Sequence, residues 1–344
     1  LTEEQCNAAL DPANEVLALA CAGSGKSRTL AYRIARLLAQ GEDPKGIVAF
    51  TFTDKAAESI KLRVAGALRT AGIEPTAMGA MYLGTIHSYC QLTLGEMNAT
   101  YRQFNVLDEN RLKLFLVSRY PSLGLDQLRQ RTATASNARG YQFETIKQVS
   151  NAWKTMNDEM VDLVDVQGRD PQLGEALIRL SDRLRADQFI DFSQMIRIVA
   201  DALRRNDESV RRSPSISRLR HLMVDEYQDV NPAQEILIRE LHRLSSTLFV
   251  VGDDDQAIYA WRGADVGNII DFQTRYPSAT RHTLSKNFRS TEAIVRAADE
   301  FAASVLGARR IAKDPQADNP AGSRQFGVCW FPDRPTEASW VAER

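Results

Sequence analysis

The stretch Val16-Leu17-Ala18-Leu19-Ala20-Cys21-Ala22-Gly23-Ser24-Gly25-Lys26-Ser27 decides the fold. An apolar run enters a loop of small residues, Lys-Ser follows, and an amphipathic pattern continues through Leu38. Strand, small-residue loop and helix are the context a phosphate-binding loop requires. Loop N–H groups at a helix N-terminus face an anion, and the helix dipole favours it. Lys26 is expected to reach the β- and γ-phosphates, and Ser27 to hold Mg²⁺ through its hydroxyl. Ala20 stands where the usual pattern opens with Gly, a change small enough to keep the backbone close to phosphate.

Working outward, apolar runs at Val16–Ala20, Ile47–Phe52, Leu222–Asp225, Leu248–Gly252 and Arg281–Leu284 read as strands. Helical patterns follow most of them, at Lys26–Leu38, Lys55–Leu68, Ala233–Leu244 and Thr291–Ala303. That alternation predicts an α/β fold with a parallel sheet covered on both faces. From about Gln91 to Arg185 the spacing is helical, with no convincing strand, which predicts a helical insertion. The tail repeats a strand at Gly327–Phe331 and a helix near Pro335, and 315–322 reads as an exposed loop.

The second half of the phosphate site is Leu222-Met223-Val224-Asp225-Glu226. An apolar strand ending in Asp-Glu places one carboxylate by the metal and another beside it. Asp225 is expected to bind Mg²⁺ and Glu226 to orient and deprotonate the attacking water. Val251-Gly252-Asp253-Asp254-Asp255-Gln256 ends another strand at the same sheet edge. Gln256 could sense the γ-phosphate. The three aspartates could instead hold a metal or bond loop backbone.

Composition bounds the rest. The 344 residues suit two or three domains, and 44% hydrophobic with 25% charged content is ordinary for a globular protein. No apolar run is long enough to span a membrane, and no secretory signal is visible. The chain starts Leu1-Thr2, which suggests a trimmed fragment. Cys6, Cys21, Cys90 and Cys329 lack metal spacing, so zinc and a disulfide framework are not expected and a reducing, cytoplasmic setting is. A net charge of −1 argues weakly against nucleic-acid binding, because a groove needs only local charge. Arg102–Lys154 is basic and Asp158–Glu175 mostly acidic, so a basic groove with steeply salt-dependent affinity is one expectation.

Five segments then fit one family. They are Phe50–Ala57 (FTFTDKAA), Gly84–Ser88 (GTIHS), Val224–Asp229 (VDEYQD), Gly252–Ala264 (GDDDQAIYAWRGA) and Leu284–Ser290 (LSKNFRS). Together they resemble the UvrD/Rep family of superfamily-one DNA helicases. The resemblance implies a RecA-like P-loop NTPase domain over 1–94 and 186–282, an inserted helical domain over 95–185, and the beginning of a second RecA-like motor domain over 283–344. It also implies ATP-driven 3′-to-5′ translocation on single-stranded DNA, in repair or recombination, with Mg-ATP as cofactor. Expected partners are single strands, single/double-strand junctions and the rest of the second motor domain.

The same resemblance implies residue roles. Gln5 would read adenine, and Arg28 would lie near the base. Ala22, Gly23, Ser24, Gly25, Lys26 and Ser27 would cradle phosphate. Phe288 would stack on the base in place of the family's Tyr, and Arg289 would reach the γ-phosphate. Asp54 stands for the usual Asn and Ile86 for Phe. Phe52, His87, Tyr259, Trp261 and Arg262 would form the DNA platform, since aromatic faces beside a guanidinium hold unstacked bases. Two motifs of a complete second motor domain do not occur in the sequence, so the isolated chain is expected to be weakly active. Alternatives are the motor of a helicase-nuclease subunit, an ATP-switched DNA-binding module and, least of all, a small-molecule kinase.

Overall fold

A computed structural model describes residues 1–128, 138–258, 263–307, 310–319 and 329–343. Its strands are β1 Glu15–Ala20, β2 Ile47–Thr51, β3 Tyr82–Thr85, β4 Asn105–Leu107, β5 Phe189–Asp191, β6 His221–Val224, β7 Thr247–Gly252, β8 Thr280–Leu284, β9 Lys286–Thr291 and β10 Gln316–Asn319. Six of them form one sheet in the order β3-β2-β6-β7-β1-β8, with every pair parallel. The predicted α/β class is therefore the observed one.

Why both faces are covered can be read along single strands. Side chains alternate across a pleated strand. Leu17 and Leu19 join one core with Phe50, Val224 and Val250, whereas Val16, Ala18 and Ala20 join another with Ala49, Met223 and Val251. Helices Phe192–Arg204 and Pro232–His242 close the first core through Met195, Val199, Leu237 and Ile238. Helices Lys26–Ala39 and Asp54–Thr70 close the second through Leu30, Ile34, Ile60 and Val64. Each fully buried aliphatic side chain contributes about 1.5–3 kcal/mol.

A third core lies apart from the sheet. Leu112, Leu116, Val149, Trp153, Leu177 and Leu180 pack together among helices Glu109–Ser118, Ala138–Asp158 and Pro171–Ala186. The expectation of no strand between Gln91 and Arg185 needs correction. β4 lies inside that span and pairs in parallel with β5, so a two-stranded neck joins the outgoing and returning chain. Three residues paired across a long insertion leave no periodic signal. β3 escaped notice for a similar reason, being four residues long with Gly84 inside.

The tail departs further. β9 pairs with β10 in a separate parallel ladder. Of the expected strand 327–331, residues 327 and 328 lie outside the described residues, and 329–331 are not strand. The helix near Pro335 is present, at Arg334–Ala342. Among the described residues no helix is long and apolar enough to cross a membrane.

Candidate nucleotide site and adjoining groove

The loop after β1 is built to hold an anion. Gly23 and Gly25 have φ of +71° and +87°, a backbone region that L side chains rarely adopt. Gly25 sits at the N-cap of helix Lys26–Ala39, and no side chain caps it. The neighbouring helices beginning at Asp54, Ile86 and Phe192 are capped by Thr53, Thr85 and Asp191. The first N–H groups of the Lys26 helix therefore have no side-chain acceptor.

Strands β1 and β6 deliver the two halves of the site to one sheet edge. Lys26 Nζ lies 3.0 Å from Glu226 Oε2. The buried ammonium has this ion partner but no hydrogen-bond acceptor. Ser27 Oγ donates to Asp225 Oδ2 at 3.0 Å. Hydroxyl and carboxylate oxygens side by side suit a hard cation such as Mg²⁺, and an ammonium lacking an acceptor suits phosphate, so the residues fit both groups. Burial, and next the Glu226 carboxylate, push Asp225 up to about 6. A cation there would reverse that shift. Glu226 is held in the left-handed region at φ +51°, a conformation costing about 1–2 kcal/mol in a non-glycine residue. Gln228 Nε2 donates to the same Glu226 oxygen at 2.9 Å.

A cavity of about 330 Å³ opens over this pair. It is lined by Gln5, Gly23, Gly25, Lys26, Ser27, Arg28, Glu226, Gln256, Phe288 and Arg289. Ten sequence-predicted residues thus converge, drawn from the N-terminal helix, the phosphate loop, β6, β7 and β9. Ala22 and Ser24 do not line it. Ala22 O accepts from Asn287, and Ser24 Oγ donates back to Cys21 O at 2.8 Å. Arg63, which sequence reasoning missed, also lines the cavity. It lies one turn and more beyond the Phe50–Ala57 segment on helix Asp54–Thr70, and a lone exposed Arg carries no local signal.

Gln5 is buried, with both amide atoms in use. Its Oε1 accepts from Thr2 N at 3.0 Å, and its Nε2 donates to Ser24 O at 2.8 Å. Arg28 folds over the Tyr32 ring at 5.9 Å. β9 docks directly on the phosphate loop. Phe288 N donates to Gly23 O at 3.1 Å and Asn287 Nδ2 to Ala22 O at 2.6 Å. Asn287 Oδ1 then accepts from Arg289 N at 2.8 Å and Ser290 N at 2.7 Å. One buried amide thereby ties the phosphate loop to the backbone that carries Arg289. Cys21 is packed into this joint, its thiol donating to Ser285 O at 3.1 Å. Burial raises its pKa to about 11, which keeps it protonated and unreactive.

The three aspartates after β7 take cations of the chain itself. Asp253 Oδ1 and Asp255 Oδ2 lie 2.8 and 2.9 Å from Lys313 Nζ, which also bonds Asp254. Among the described residues no group of ligating side chains could hold a metal there, and Asp253 Oδ1 accepts from Asp255 N at 3.2 Å, the loop-backbone bonding offered as the other alternative. Gln256 Nε2 donates to Asp253 Oδ2.

Phe52 and His87 leave the ends of β2 and β3 and line a groove of about 580 Å³ between the sheet and the helical insertion. Tyr259, Trp261 and Arg262 lie outside the described residues. Phe192, absent from the sequence reading, stands in the groove with its ring 4.9 Å from His87. It is 42% exposed, as is Phe52. Burial lowers the His87 pKa, so the ring is neutral at neutral pH. The expected basic groove is not what the described residues form. Their charged lining is Asp108, Glu109, Asp158, Asp191 and Asp229 against Lys154.

Residues 1–277 match the family described as the UvrD/REP helicase N-terminal domain. The ATP-dependent DNA helicase UvrD1 of Mycobacterium tuberculosis is 34% identical, over 100% of this chain and 44% of its own length. The ATP-dependent DNA helicase PcrA of Staphylococcus epidermidis is 32% identical over 87% of this chain and 39% of its own. PcrA of Staphylococcus aureus is 31% identical over the same shares. The chain spans less than half the length of these relatives.

Proposed function

The chain belongs to the UvrD/REP helicase family, and on that premise we propose that it is the nucleotide-hydrolysing part of a motor that moves 3′-to-5′ along single-stranded DNA. The observation that carries this reading is the convergence of Lys26, Ser27, Asp225 and Glu226 beneath a cavity that Gln5, Gln256, Phe288 and Arg289 also line. The division into a motor domain over 1–94 and 186–282, a helical domain over 95–185 and the opening of a second motor domain over 283–344 belongs to the same proposal. The separate helical core and the β4–β5 neck support it.

Each side chain then has a task. Lys26 moves from Glu226 to the β- and γ-phosphates as the nucleotide enters, which releases Glu226 to take a proton from water. Gln228 keeps that carboxylate oriented through the exchange. Ser27 and Asp225 would hold Mg²⁺, which when bound would neutralise phosphate charge. Gln5 recognises adenine, Phe288 and Arg28 flank the base, and Gln256 and Arg289 meet the γ-phosphate. Arg289 arrives from β9, which docks on the phosphate loop, and adds positive charge around the transferring group. Phe52, His87 and Phe192, with Tyr259, Trp261 and Arg262, hold unstacked bases. Each stacked base contributes about 1–3 kcal/mol. Single strands and strand junctions, the remainder of a second motor domain, and a role in DNA repair or recombination complete the reading.

Glu226→Gln in the complete protein tests it. Single-strand-stimulated ATP hydrolysis is expected to fall by at least about a hundredfold while ATP binding persists. Undiminished turnover would remove Glu226 from the chemistry. Loss of binding and turnover together would make the residue part of the fold instead.

A further inference from the structure

Neither the matched family segment nor the nucleotide reading accounts for Arg310 and Lys313, which lie beyond residue 277. Lys313 is fully buried, and its ammonium touches three consecutive carboxylates, Asp253, Asp254 and Asp255. Arg310 grips Asp255 with two parallel bonds of 2.8 Å and also pairs with Asp299 of helix Glu292–Leu306. Ile311 N donates to Asp254 Oδ2 at 2.8 Å. Bidentate guanidinium–carboxylate pairs fix orientation as well as distance. A short tail segment thus binds every carboxylate of one loop.

That loop carries Gln256. Asp253 stands between the tail and the nucleotide cavity. One of its oxygens meets Lys313, and the other accepts from Gln256. Its backbone N–H donates to Gln228 Oε1 at 3.0 Å, and Gln228 Nε2 donates to Glu226 at 2.9 Å. An unbroken polar chain therefore runs from Lys313 through Asp253 to Gln256 on one branch and to Glu226 on the other. Among the described residues, four carboxylates share two cations here. Removing Lys313 would leave like charges buried together, and the loop would have to move to relieve them.

We propose that Arg310–Lys313 is an electrostatic latch that seats the Asp253–Gln256 loop against the terminal phosphate of the nucleotide. Lys313 is a positioning residue: it touches no nucleotide and acts through Asp253 on Gln256. The inference rests on the nucleotide reading above and adds its dependence on a segment that follows helix Glu292–Leu306. Since the latch engages a loop that meets only the γ-phosphate, it governs preference for triphosphate over diphosphate and leaves diphosphate affinity alone.

The test compares binding of a non-hydrolysable ATP analogue and of ADP, each with Mg²⁺, to this chain and its variants. Amide exchange over 253–258 is measured alongside. The wild type is expected to prefer the triphosphate. Lys313→Met is expected to lose about tenfold in that preference, with ADP affinity unchanged within about threefold, and to exchange faster over 253–258. Lys313→Arg restores most of the preference, and Arg310→Gln loses part of it. If Lys313→Met gives no cooperative thermal transition, the charge-balanced Asp254→Asn/Lys313→Met pair and Arg310→Gln are expected to show the same selective loss. A purely structural staple would lower affinity for both nucleotides alike. That result, or an unchanged preference in Lys313→Met, overturns the latch while leaving the nucleotide reading intact. A wild-type chain that binds neither nucleotide overturns both.

Discussion

Asp225 pits function against stability within one carboxyl group. Burial beside Glu226 raises its pKa from 3.8 to about 6. Between those values the native chain holds a proton that the unfolded chain has released, so stability falls as pH rises through the window. Above about pH 6 the cost is complete, on the order of 3 kcal/mol. Asp225→Asn is therefore expected to raise the thermal stability of the nucleotide-free chain at pH 7.5 and to change it little at pH 4. It should also abolish the extra stabilisation that Mg²⁺ adds to nucleotide. Equal melting shifts at both pH values would show that the carboxylate is not strained. His87 carries a related lesson. Its lowered pKa makes it a neutral ring packed on Phe192, which leaves the proposed base contact a ring face without charge.

At the scale of elements, the phosphate loop and β9 act as one unit. A Cβ on Gly25 would meet Gln5 Nε2 at 2.7 Å, in a residue already at φ +87°. Gly25→Ala is expected to destabilise the chain by about 1–2 kcal/mol and to eliminate nucleotide binding, read by calorimetry. Asn287→Ala breaks the bond to Ala22 O and frees Arg289 N. About 1–2 kcal/mol of stability and at least about tenfold in ATP-analogue affinity should go with it. An unaltered affinity would detach β9 from the site. The loop, the Asp-Glu strand end and Gln256 were legible because each follows an apolar run at a strand terminus. Arg63, Phe192, Arg310 and Lys313 were not. Their partners lie far away in sequence, and no local pattern separates them from ordinary surface residues. The short strands β3 and β4 stayed hidden because pairing, and not propensity, makes them strands.

At the scale of the molecule, two surfaces are informative. The groove beside Phe52 and Phe192 is acidic in its described lining, so single-strand binding is expected to fall only shallowly with salt. Phe192→Ala should weaken it at every salt concentration, by about 1–3 kcal/mol. A steep salt slope with no effect of Phe192→Ala would place the strand elsewhere. The tail presents the second surface. Helix Glu292–Leu306 buries Val295 yet exposes Ile294, Phe301 and Val305. Sparse burial is expected to make its amides exchange quickly, except near Asp299, which pairs with Arg310. Uniform protection along that helix in a monomer would contradict this.

In the proposed motor, Lys26, Ser27, Asp225 and Glu226 surround the phosphates of a magnesium nucleotide. The most direct test is an experimental structure of the chain with Mg²⁺ and a non-hydrolysable ATP analogue. In that structure Lys26 Nζ is expected to have left Glu226 for the β- and γ-phosphates, with the cation on Ser27 and Glu226 facing the γ-phosphate across a water. A nucleotide bound elsewhere, or bound here with the 3.0 Å Lys26–Glu226 pair intact, would contradict it.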